Sequence, residues 1–198
     1  MKTDLEKINK TRFDLVTISK MAYLRGLSSG TSGNISSRVL GNPNQILIKA
    51  SGKCFGELNP DDFVLIDLDG NILEGNIKPS KEVYFHCGIY KIRHDVNAVF
   101  HGHSAYATAY VTQKGNLPLI TISSEAVLKK VGIVDSAPAG SRDLANMVIK
   151  TFEDLEIKSC VLKRHGFITV AQDIHTAYYL GDVLEDNAKT VCIMNGLK

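Results

Sequence analysis

The chain has 198 residues, 44% of them hydrophobic, and its 23 lysines and arginines against 21 aspartates and glutamates leave a formal charge of +2. That length and apolar fraction fit one domain (1–198) with a sizeable core, and the near balance of charge without a basic run excludes the footprint of a nucleic-acid binder. No apolar stretch approaches the roughly 20 residues that cross a bilayer, and the polar start MKTDLEKINK has no signal-peptide core, so a cytoplasmic protein with a small-molecule partner and no membrane contact is expected. Cys54, Cys87, Cys160 and Cys192 are far apart and form no C-x-x-C pair, so reduced, half-buried thiols are expected.

Leu5, Ile8, Leu15, Ile18 and Ala22 recur at helical spacing, with Gly26 where a helix would stop. After the loop GLSSGTSGN come three β-prone runs, NISSRV, QILIKA and FVLIDL, with turn signals at 41–44, Asn59-Pro60 and Asp69-Gly70. Connections this short make the strands antiparallel. A helix is predicted from Ser80, as N-cap, to His94, then a strand NAVFHGH, a helix SAYATAYVT, a strand PLITIS and a helix SRDLANMVIKTF. SCVLKR and FITVA read as strands around His165-Gly166, and Asp173 to Asn195 as a closing helix. The expected class is α/β (α+β-like), with a central, mainly antiparallel sheet between helical layers.

His101-Gly102-His103 follows the apolar run Ala98-Val99-Phe100. Residues two apart on a strand share a face, so both imidazoles project together, as a divalent metal requires. His165 stands in a similar setting, where Gly166 leaves space beside a metal. Three nitrogen ligands with one exchangeable oxygen make a catalytic zinc site, and Glu82 is the candidate for that oxygen. The plainer reading of an H-x-H pair is a pair of strand-end histidines bonded to backbone. It is the reading taken for His86, His94 and His175, which fall on predicted helices without a partner at ligand spacing.

Three segments offer hydroxyls and free amides: Gly30-Thr31-Ser32-Gly33-Asn34, Ala50-Ser51-Gly52-Lys53 and Pro79-Ser80-Lys81. Each reads either as a turn or as an anion site, in which Thr31, Ser51 and Ser80 donate hydroxyls, Asn34 an amide, and Lys53 and Lys81 charge. Neither nucleotide-binding glycine motif is present.

In this order, GTSGN, ASGK, KPSKE, HGHS and RHG resemble the motifs of the class II aldolase/adducin family, from about residue 5 to the end. The resemblance implies Zn2+, or another divalent metal, held by His101, His103, His165 and Glu82, with Glu82 also the acid/base. It further implies phosphate bound by Thr31, Asn34, Ser51, Gly52, Ser80 and Lys81, and a homotetramer with active sites at subunit interfaces. The implied activity is that of a zinc-dependent carbon-carbon lyase of the class II aldolase type, which cleaves a small phosphorylated sugar or sugar acid through a metal-stabilised enediolate. Departures point away from fuculose 1-phosphate as substrate: Ser80-Lys81-Glu82 where the fuculose-phosphate aldolases have two serines before the glutamate, no tyrosine in LPLITISSEA, and no tail beyond the last helix. KPSKE, VLKKVGIV and the closing helix look closer to the 3-oxo-tetronate 4-phosphate decarboxylase branch, and a 4-epimerase or dehydratase on the same metal is a further alternative. Related dehydratases carry a glutamate comparable to Glu125, a second acid/base candidate whose plain reading is a solvated strand end.

Overall fold

Strand residues in this chain alternate between two apolar sides, and both sides are covered. The computed structural model describes residues 2–196. Its strands are β1 (Asn34–Val39), β2 (Asn42–Lys49), β3 (Phe63–Asp67), β4 (Ile72–Glu74), β5 (Ala98–Gly102), β6 (Val131–Val134), β7 (Ser159–Leu162) and β8 (Gly166–Ala171). They form one sheet in the order β4-β3-β2-β1-β5-β8-β7-β6, antiparallel throughout except for the parallel pair β6 and β7. Ile35, Leu47, Leu65, Phe100, Val161 and Phe167 face one side, packed under α1 (Lys2–Leu24), α3 (Ala105–Lys114), α4 (Ile122–Leu128) and α6 (Ile174–Gly196). Ile46, Ile48, Val64, Ile66, Val99, Leu162, Ile168 and Val170 face the other, under α2 (Val83–Ile92) and α5 (Arg142–Phe152). Each such side chain contributes about 1.5–3 kcal/mol over its exposed state, so a one-residue slip of a strand would invert two cores at once.

Several local expectations give way to tertiary contacts. PLITIS forms no strand: Thr121 accepts from the Ser124 N–H and caps α4, while Asn187 of α6 accepts from the Ile120 N–H and donates to the Pro118 carbonyl. Those backbone groups are thereby taken from any sheet ladder. Helix α2 begins at Val83 rather than Ser80, because the Ser80 N–H bonds the Lys49 carbonyl and Ala50 bridges Pro79, tying this segment to the end of β2. It ends at Ile92, so the exposed His94 lies beyond it. The turn expected at 41–44 tightens to Leu40-Gly41, and β4 is an exposed edge strand without a sequence signal. Leu5 is 55% exposed, so the core face of α1 is built from Leu15, Ile18 and Ala22. All four cysteines are free. Among the described residues no helix is long and apolar enough to cross a membrane.

The space at Gly166 is required by the backbone. A Cβ there would stand 2.2 Å from the Gly102 carbonyl oxygen and 3.3 Å from His101 Cε1, so only glycine lets β8 lie this close to β5. Gly166→Ala is expected to cost about 1–3 kcal/mol or more in urea unfolding. Gly196→Ala, where the added carbon meets nothing within 4 Å, should stay within about 0.5 kcal/mol of the parent.

Candidate metal and substrate site

Four distant side chains meet where β1, β5 and the turn between β7 and β8 run against the start of α2. His101 lies in β5 opposite Asn34 of β1, on the same side of the sheet as Val99 and hence facing α2. His103 stands just past the strand end, its N–H bonded to the Leu27 carbonyl. His165 lies in the β7–β8 turn, reached through Arg164 at φ 61, whose N–H is held by Thr112 Oγ1 at 2.8 Å. Glu82 is the residue before α2, and its N–H bonds Ser80 Oγ.

One ligand atom from each of Glu82, His101, His103 and His165 lies within 4.8 Å of the other three. His101 Nε2 is 3.2 Å from Glu82 Oε2 and 3.0 Å from His103 Nε2, while His165 Nε2 is 3.3 Å from Glu82 Oε1. His101 donates from Nδ1 to the Phe167 carbonyl at 2.8 Å, which leaves its Nε2 lone pair aimed into the cluster. Glu82 Oε1 is buried with no hydrogen-bond partner. A buried carboxylate oxygen left bare among three imidazoles is a strong misfit without a cation, and three nitrogens with one carboxylate suit a divalent metal that keeps an exchangeable position. The donor set fits.

Burial pushes the Glu82 carboxyl up, but the adjacent His101, with His165 and the Asn34 amide, outweighs it and holds the group well below the usual carboxylate range. Burial, with His101 and His165 as neighbours, lowers His103 to about 3. Burial, with His101 adding to it, lowers His165 to about 4. Both rings are thus neutral at physiological pH, the form that ligates metals.

A cavity of about 560 Å³ opens beside this cluster, lined by Thr31, Asn34, Ser51, Gly52, Ser80, Lys81, Glu82, His103 and His165. All three predicted anion loops therefore face one space. The fit is not uniform along them. Lys53 is drawn away to Asp62 at 2.9 Å. Asn34 borders the cavity, yet its carboxamide already donates to Glu82 Oε2 at 2.8 Å and accepts from His86. Glu125 lies exposed on the first turn of α4, outside the lining of this cavity. Another cavity of about 500 Å³, lined by Arg38 and Pro43 among others, is at the far end of β1, and among the described residues no cluster of ligating groups lies there.

Two residues of this site have no signal at the level of motifs. His86 is buried beside Asn34 on α2, and its spacing of four from Glu82 is the feature that places it there. Lys49 ends β2 in the run QILIKA, only 2% exposed, with no carboxylate partner among the described residues. It donates to the Thr31 carbonyl at 3.2 Å and to the Lys53 carbonyl, so one ammonium ties the first two loops together.

A family model described as "Class II Aldolase and Adducin N-terminal domain" matches residues 13–192. The chain belongs to the class II aldolase and adducin family. This member is 40% identical over 188 residues to an L-fuculose phosphate aldolase of Methanococcus maripaludis, a match that covers 93% of the chain and 99% of the relative. It is 30% identical to a 3-oxo-tetronate 4-phosphate decarboxylase of Haemophilus influenzae, covering 93% of the chain and 88% of the relative. A solved L-fuculose 1-phosphate aldolase superposes with a TM-score of 0.87 at 29% identity, over 95% of this chain and 87% of that one. The segments KPSKE, VLKKVGIV and the closing helix look closer to the decarboxylase branch, yet over the whole chain the aldolase relative is the more similar of the two, at 40% identity against 30%.

Burial lowers Lys49 to about 8, with Cys54, Asp62 and Glu82 partly restoring it. It is cationic below that pH and loses its charge above it. Affinity for inorganic phosphate, measured by calorimetry, is expected to fall as pH rises through about 8. Lys49→Met should weaken binding at pH 7 by roughly tenfold or more, since a charge-assisted hydrogen bond contributes about 1.5–3 kcal/mol.

Proposed function

We propose that the chain is a zinc-dependent carbon-carbon lyase of the class II aldolase type, acting on a small phosphorylated sugar or sugar acid. The observation that carries this reading is the bare Glu82 Oε1 within a cluster of one glutamate and three histidines that opens onto a cavity lined by hydroxyls, amides and lysine. His101, His103, His165 and Glu82 would hold the ion. When bound, it supplies Lewis-acid stabilisation of the negative charge that develops on a carbonyl oxygen as the neighbouring bond breaks.

The protein's own groups do the rest. The Thr31, Ser51 and Ser80 hydroxyls, the Gly52 backbone and the cations Lys49 and Lys81 hold the phosphate, which fixes how far the reacting carbons reach toward the histidines. Glu82 takes the proton of the hydroxyl beyond the scissile bond and returns one to the carbon left behind. Held below the usual carboxylate range, Glu82 is ionised before the substrate arrives. A similarity of 40% to an aldolase makes cleavage to an aldehyde the leading reading for this chain. A second reading, decarboxylation of a 3-oxo sugar acid, is favoured by the decarboxylase relative and needs the same site, with carbon dioxide as the departing fragment.

The reading extends to a homotetramer in the cytoplasm. It is supported by four free thiols, as in a reducing compartment, and by Ile122, which is 88% exposed and three residues before Glu125 on one face of α4. A neighbouring subunit covering that face is the route by which Glu125 would join an active site.

Glu82→Gln is expected to lower kcat by about 100-fold to 10,000-fold on a phosphorylated ketose, and a chelator should abolish turnover until zinc is restored. Separation of products decides the reaction: a phosphorylated ketone with an aldehyde for cleavage, carbon dioxide for decarboxylation. An unchanged rate in Glu82→Gln would remove that residue from the mechanism.

A further inference from the structure

A line of buried polar groups runs from Glu82 into the core. Asn34 Nδ2 is 2.8 Å from Glu82 Oε2, His86 Nε2 meets Asn34 Oδ1, Ser36 Oγ is 2.7 Å from His86 Nδ1, and Ser36 Oγ is 2.8 Å from the Tyr90 hydroxyl. All five residues are buried, and the His86 ring is stacked on Phe85 at 4.7 Å. The direction of every bond follows from the first. An ionised carboxylate can only accept, so Asn34 must present its NH2 to Glu82 and its carbonyl oxygen to His86. His86 must then donate from Nε2. Burial lowers its pKa to about 3, so the ring is neutral and Nδ1 has to accept from Ser36. With its one proton spent there, Ser36 has to accept from Tyr90. A flipped Asn34 amide would set acceptor against acceptor at Glu82 and donor against donor at His86, and mismatched polar groups this deeply buried are costly.

We propose that His86 is a positioning residue for the metal site: its Nε2–H locks the Asn34 carboxamide, which pins Glu82 Oε2 and leaves Oε1 as the oxygen offered to the metal. The inference rests on the reading of Glu82 and the three histidines as a metal site. It assigns Asn34 to orienting the carboxylate, and it gives the Glu82-x-x-x-His86 spacing on α2 a reason.

The test is the zinc affinity of the metal-free protein, by competition with a chromogenic chelator, in wild type, Asn34→Ala, His86→Phe and the double variant. Each single change is expected to weaken zinc about 10-fold to 100-fold, as loss of a group supporting a ligand does. The double variant should be no weaker than Asn34→Ala alone to within about twofold, because His86 acts through Asn34. His86→Gln, which keeps an N–H donor, should recover most of the loss. Independent, multiplying losses, or wild-type affinity in folded His86→Phe, would overturn the proposal. If His86→Phe does not fold, Ser36→Ala replaces it in the cycle, with a smaller loss expected and unchanged affinity overturning. Zinc affinity is read without substrate, so a wild-type protein that binds zinc yet cleaves no phosphorylated ketose counts against the lyase reading alone.

Discussion

A carboxylate only 3% exposed has to be compensated, and much of this structure is arranged around that requirement at Glu82. Placing such a charge in the interior costs several kcal/mol unless opposite charge and hydrogen bonds surround it. Two strands and one turn each deliver a group to it, Asn34 from β1, His101 from β5 and His165 from the β7–β8 turn, while His86 of α2 bonds Asn34 from behind. One oxygen accepts from Asn34, while the other has no hydrogen-bond partner and only His165 Nε2 near it, at 3.3 Å. That asymmetry is what distinguishes a site prepared for a cation from a saturated internal ion pair.

A comparable constraint governs the loops that line the cavity. Lys49 cannot swing into solvent, because its backbone belongs to β2 and its ammonium is bonded to carbonyls of two loops. The third loop is drawn to the same strand end through the Ser80 amide and the Ala50–Pro79 bridge. Hydroxyls and amides scattered along the chain thus become one wall, at a fixed distance from the imidazoles.

How far this could be read in advance depended on whether the deciding interaction was local. NISSRV, QILIKA and FVLIDL announced strands because β-prone residues set between turn signals favour extended backbone wherever they are placed. The pairing of His101 with His103 followed from the two-residue period of a strand, and their meeting with His165 and Glu82 was inferred from context. PLITIS misled because β-branched residues record a preference that Asn187, 63 residues or more away, overrides by claiming the backbone groups. Ser80 looked like a helix cap until its amide was needed by Lys49. His86 was read as an ordinary helical residue because its importance lies in a neighbour from another strand. Lys49 was hidden by sitting inside a β-prone run, where a lone lysine reads as a solvated face. In each case the missing information was a long-range contact rather than a subtler local pattern.

The two strands that close the sheet are short: β4 has three residues and β6 has four. Borders this abbreviated present few open backbone groups, which protects a protein from adding foreign strands to its own ladder. Association through side chains of the helices and loops would leave the sheet, and the spacing it sets between Asn34, His101 and His165, undisturbed.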